Sequence, residues 1–172
     1  MSSVTPVSAE WLVVLVNAYS PQTVAAAGRD AVPTECADRA QPAIAARVTG
    51  AAKAHLGEAL WPVFAGSPSG VRIEALDALL ATASLSPRID ADGQMAWTTP
   101  QKGPAGRLTA ACAVCLLDVV STYGWARLGT CDGCDCADVY VDSARRAPRR
   151  YCSTTCLNRS KIRAFRSRKN EP

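Results

Sequence analysis

The 172-residue sequence holds a single histidine, His55, and only two phenylalanines, four tyrosines and four tryptophans. His55 falls in a stretch of helical spacing and reads as a helix-surface or core residue, not as a ligand. No nucleophile–base pair, phosphate-cradling loop or open metal site stands out, so no enzyme is expected. Met1–Glu10 lacks Lys and Arg, and the apolar run Trp11–Val16 is too short for the core of a secretory signal. No stretch approaches the roughly 20 apolar residues of a membrane span. A cytoplasmic location without membrane contact is therefore expected. The last absence is local: Ser143–Lys169 contains no Asp or Glu, yet carries ten Arg or Lys.

The charge is thus unevenly placed. Residues 1–142 hold nine of the nineteen basic residues and fourteen of the fifteen acidic ones. An acidic body with a basic tail implies a polyanionic partner. The length fits one ordinary domain, or a mid-sized one plus a small one, and 48% apolar residues allow a real core.

Ser8 can cap a helix over Ala9–Tyr19, with Pro21 past its end. Thr34, followed by Glu35, can cap a second. From Pro42 the residues Ile44, Val48, Ala51, Ala52, Leu56 and Leu60 recur at helical spacing until Pro62 breaks the pattern. In Val71–Ala83 the apolar stripe is Ile73, Leu76, Leu79, Leu80 and Ala83, with Arg72, Glu74 and Asp77 away from its centre. Arg88–Trp97 alternates around Asp92-Gly93 and predicts a short hairpin. Arg107–Tyr123 predicts a further helix ending at Gly124, and Trp125–Gly129 a connector. The expected fold is mainly α (α+β): a helical domain over 1–125 with a small β-hairpin, then a compact module over 126–172.

Composition changes at Cys131. A segment of about 45 residues with few large aliphatics is too small to be held by a hydrophobic core alone, which favours a metal staple. In the run Cys131, Cys134, Cys136 two close cysteines make a knuckle, Val139–Val141 form a strand, and an Arg- and Pro-containing turn leads through a second strand to Cys152. Ser153 or Thr154 then caps a helix with Cys156 near its first turn. This is the layout of a treble-clef zinc finger. Zinc takes four tetrahedral ligands and accepts thiolates readily, and a site closed by four cysteines is structural. Cys152 and Cys156 are ligands, and Cys131 pairs with either Cys134 or Cys136. Cys112 and Cys115 fit a zinc spacing formally, but inside the apolar run Ala110–Val120 they read as packing residues. Cys36 stands alone.

The C-terminal segment resembles the CGNR-type zinc finger through Cys131 and Cys136, Val139-Tyr140-Val141-Asp142, Arg149-Arg150-Tyr151-Cys152-Ser153 and Cys156-Leu157-Asn158-Arg159. The resemblance assigns Cys131, Cys136, Cys152 and Cys156 to one structural Zn2+. Leu157 stands where that family carries a small residue. Upstream, Leu15-Val16-Asn17 is similar to the motif opening the ABATE-like helical domain fused to such fingers, which makes Asn17 a candidate for a ligand pocket. By burial statistics alone Asn17 reads as a buried amide bonded to local backbone. The resemblance implies a bacterial, stress-induced transcription regulator.

On a helical wheel the tail after Cys156 places Ile162 and Phe165 inward near Asn158. Arg159, Arg163 and Arg166 then line one flank, and Lys161 and Arg168 the other. With Lys169, and with Arg145, Arg146, Arg149 and Arg150 from the turn, these residues are candidates for neutralising phosphates. The expectation is a zinc-dependent nucleic-acid-binding protein, foremost a regulator bound to double-stranded DNA, whose body would form a homodimer or sense a signal. The alternative is an adaptor docking on an acidic protein such as transcription machinery. Tyr151 and Phe165 are the tail's only stacking residues, which argues against single-stranded RNA.

Overall fold

The computed structural model describes residues 1–28, 41–66, 70–133, 135–142 and 148–169. The expected Thr34 cap with Glu35, and the lone Cys36, lie outside the described residues. Helix α1 spans Ala9–Tyr19, and the Ser8 hydroxyl accepts the Trp11 N–H at 3.2 Å. Its buried side chains include Trp11, Leu12, Leu15 and Val16. Pro21 does more than end α1. It opens a short helix α2, Pro21–Ala26, at a position where its missing N–H is not needed.

Helix α3 spans Gly50–Phe64 and starts at a Thr49 cap, later than the spacing from Pro42 predicts. A 3-10 turn at Ala45–Arg47 and an extended Val48 precede it. Pro62 does not break α3 but sits in its last turn, where little remains of the backbone ladder to disrupt. At Gly57 a Cβ would lie 2.9 Å from the backbone nitrogen of Ser20. The glycine lets α3 touch the α1–α2 junction backbone to backbone, a contact that a side chain would prevent.

Helix α4, Val71–Ala83, has the predicted bounds but a different buried face. Arg72 is 4% exposed and Ile73 44% exposed, the reverse of the amphipathic expectation. The reason is hydrogen bonding. Arg72 Nε donates to the Val63 carbonyl at 2.8 Å, and Nη2 donates to those of Trp125 at 3.2 Å and Leu128 at 3.1 Å. The guanidinium also faces the Trp125 ring at 5.3 Å. One buried cation thereby serves carbonyls from three chain segments that need donors. Burial draws its pKa down from the usual arginine value.

Helix α5, Pro104–Tyr123, is the central core helix. By length and composition it could cross a membrane, contrary to the sequence expectation, but here it packs against α4 and buries side chains from Leu108 to Val119. Cys112 and Cys115 lie among them, as expected of packing residues. The Asp-Gly hairpin forms from β2, Ser86–Ile89, and β3, Met95–Thr99. The Asp90 carboxylate accepts from the N–H groups of Asp92 and Gln94, and Gly93 takes the positive φ of the turn. A third strand, β1, Ser2–Val4, joins in antiparallel order β1-β3-β2; three residues carry no readable alternation.

The C-terminal hairpin differs from the expected one. Strand β5, Val139–Val141, pairs antiparallel with β4, Leu128–Thr130, which precedes the knuckle. Residues 148–151 form no strand. Leu128 and Val139 join the core of the helical body, each burial being worth roughly 1.5–3 kcal/mol. Helix α6, Thr154–Lys169, closes the chain.

Because Arg72 holds the end of α3 to the start of β4, Arg72→Met is expected to destabilise the protein by roughly 2–5 kcal/mol, as buried carbonyls lose their donor at about 1–3 kcal/mol each. A urea unfolding midpoint would measure this. A midpoint equal to that of the wild type would show that the carbonyls find other partners.

Candidate metal centre

The hairpin and the start of α6 bring four cysteines together. Cys131 follows β4 directly, Cys136 lies in the loop before β5, Cys152 precedes α6, and Cys156 sits in its first turn. Their sulfurs all lie within 4.8 Å of one another. Cys136 and Cys152 Sγ are 3.7 Å apart, and Cys152 and Cys156 Sγ 3.6 Å. A tetrahedron with Zn–S bonds of about 2.3 Å has edges of about 3.8 Å, so the donor set fits one structural zinc ion. All four positions would be protein thiolates, leaving no coordination site for water or substrate.

The surrounding backbone is arranged for thiolate. Cys131 Sγ accepts N–H groups from Gly133 and Cys152, each at 3.3 Å. A Cβ at Gly133 would lie 3.2 Å from that sulfur, so the glycine keeps the knuckle tight. The Ser153 hydroxyl accepts the Cys156 N–H at 3.2 Å, which makes Ser153 the capping side chain. Burial pushes the Cys136 thiol up to about 12 and raises that of Cys152 as well. At Cys156 burial also raises the pKa, but hydrogen bonds from Ser153 and the neighbouring thiols bring it below the usual value. Cys134, the alternative to Cys136, lies outside the described residues.

Cys112 and Cys115 do not contribute. Burial and the nearby Cys115 push the Cys112 thiol far up; burial and Asp118 take Cys115 up to about 11.

The candidate cations fall into separate groups. Arg145 and Arg146 lie outside the described residues. Arg149 is turned onto the finger itself. Its guanidinium donates to the carbonyls of Tyr151 and Cys152 and covers the Tyr140 ring. Arg150 pairs with Asp132 at 2.8 Å. On α6, Arg163 approaches Asp135 at 3.9 Å, and Arg168 Nε donates to the Ala164 carbonyl of its own helix. Arg159, Lys161, Arg166 and Lys169 are exposed and make no ion pair among the described residues.

Ile162 and Phe165 do not point inward as the wheel suggests. They are 53% and 64% exposed, and α6 buries none of its side chains. The cause is Cys156. Once its sulfur faces the cluster, Ser160 and Arg163 share that face, and Ile162 and Phe165 fall on the opposite one. Leu157 is half-buried beside Pro148, Arg150 and Tyr151.

Asn17 reaches across to the strand that follows the knuckle. Its amide nitrogen donates to the Val139 carbonyl at 3.1 Å, and its oxygen accepts the Val139 N–H at 2.7 Å. The partner is backbone 122 residues away, not the local backbone expected from the sequence. Asn17 also borders a cleft of about 390 Å³ between α1 and the finger, together with Glu10, Asp138 and Arg149. Trp61 Nε1 donates to the Ala137 carbonyl at 3.0 Å, a second tether that sequence reasoning missed. Nothing in the spacing of a lone Trp at the end of a helix announces a partner 76 residues away.

Cys152→Ala is expected to abolish stoichiometric zinc binding, whereas Cys134→Ala should retain one zinc per chain; native mass spectrometry reads both. Retained zinc in the first variant, or lost zinc in the second, would overturn the ligand set. Zinc uptake at neutral pH should release protons, and affinity should rise with pH. Thiols held protonated by burial must ionise to bind, and acid reverses this. Calorimetry in two buffers of different ionisation enthalpy measures the protons; a pH-independent affinity would contradict thiolate ligation.

Among protein families, the CGNR zinc finger matches residues 127–169, the segment that holds β4, β5, the four cysteines and α6. No curated protein matches the chain. The C-terminal segment is thus similar to the CGNR zinc finger in sequence, and its four cysteines have the geometry of one structural zinc site.

Proposed function

We propose that the protein is a DNA-binding transcription regulator whose finger presents α6 to duplex DNA. The observation that carries this reading is the unspent charge of α6. Arg159, Lys161, Arg166 and Lys169 project from a helix with no buried side chain and no acidic residue. Such a density of like charge is self-repelling unless a polyanion neutralises it, and phosphate binding gains further from counterion release. The finger's small hairpin is anchored in the body's core through Leu128 and Val139, so α6 extends from a segment packed on the body.

In this reading residues 1–125 form an ABATE-like body that dimerises or senses a signal, and residues 126–172 the treble-clef-like reader. The proposal extends to a cytoplasmic, bacterial, stress-induced regulator without enzymatic activity. One observation favours a second reading. Exposed Ile162 and Phe165 would suit an adaptor whose helix docks in an acidic, apolar-floored protein groove.

Fluorescence anisotropy on duplex DNA across a salt series tests the choice. The zinc-loaded protein is expected to bind, with affinity falling steeply as salt rises. Arg166→Ala and Lys161→Ala should each lower the magnitude of the log–log salt slope by about 1. Absence of duplex binding at low salt would refute the regulator and favour the adaptor.

A further inference from the structure

The outward face of α6 is ordered across its width. Asn158, Ile162, Phe165 and Lys169 are spaced four, three and four residues apart and so lie in one row along the helix. The row is opposite Cys156, Ser160 and Arg163, the face turned to the cysteine cluster and the knuckle. Arg159 and Arg166 border it on one side, Lys161 and Arg168 on the other. All these side chains but the cysteine and serine are exposed. An amide and two apolar groups thus run between two cationic rails.

Resting on the DNA-binding reading above, we propose that Asn158, Ile162 and Phe165 read bases in the major groove while the rails hold the phosphates on either side. The dimensions suit this. A helix with side chains is about 10–12 Å across, and the groove is about 12 Å wide. The central groups match the chemistry of A·T pairs. A side-chain amide bonds adenine N7 and N6 in a bidentate manner, and apolar side chains pack on the thymine methyl. From Asn158 to Phe165 the helix rises about 10 Å, close to three base-pair steps of about 3.4 Å. The expected target is a short A·T-containing core, with adenine met by Asn158 and thymine met by Ile162 and Phe165.

The test selects bound sequences from random duplexes with the zinc-loaded full-length protein. It then compares affinity for the selected and a scrambled duplex. Ile162→Ala and Phe165→Ala are each expected to cut the selected-over-scrambled ratio about tenfold. Binding to scrambled DNA and its salt slope should stay as in the wild type. Replacing the core thymines by deoxyuridine should weaken the wild type and leave the double variant Ile162→Ala, Phe165→Ala unaffected. An unchanged ratio in both variants, or an equal loss on both duplexes, would overturn the base-reading stripe while leaving DNA binding intact. The stripe is overturned equally if Phe165→Ala changes the protein's mass in solution instead of its sequence preference. A wild type that binds duplexes without discrimination would also remove the stripe and leave only the rails. A wild type that binds no duplex would remove the regulator itself.

Discussion

The cysteine cluster fixes more than the local fold. Because Cys156 lies in the first turn of α6 and must face the other three sulfurs, the cluster sets the rotation of the helix about its axis. Everything along α6 follows from that one orientation. Ser160 and Arg163 return to the knuckle, and the row from Asn158 to Lys169 faces away. Apart from the half-buried Leu157, α6 packs no apolar side chain that could choose its face, so the metal centre and the exposed row are one constraint seen from opposite sides.

The base on which the cluster stands comes from the helical body. A hairpin of two three-residue strands would be marginal alone. It is held by Leu128 and Val139 in the shared core and by three polar side chains reaching backbone: Asn17 to Val139, Trp61 to Ala137, and Arg72 to Trp125 and Leu128. Hydrogen bonds to backbone tolerate change in the finger's side chains while fixing its position. Metal and body therefore stabilise the finger from two directions.

Much of this was legible in the sequence because it is local. Ser8, the α1 bounds, the Val71–Ala83 helix and the Asp-Gly hairpin are read from caps, turns and periodicity within a few residues. The cysteine spacing predicts the cluster for the same reason: zinc imposes its own geometry. What escaped is what distant segments decide. Arg72 looks like a surface residue until carbonyls from three segments converge on it. Ile162 and Phe165 look like a packing edge until Cys156 claims the opposite face. The partner of β5 is not legible because Leu128-Gly129-Thr130 has no strand pattern of its own. Pro62 shows how a breaker near a helix end does little.

The pairing of Asn17 with Val139 has a consequence for solubility. Strand β5 has β4 on one side only, and an open strand edge is a template on which another chain can add. Val139 points its N–H and carbonyl away from β4, and a single carboxamide from α1 occupies both. The side chain thus takes the place of a third strand at that residue. Its loss would leave the Val139 N–H and carbonyl open to pairing with another backbone.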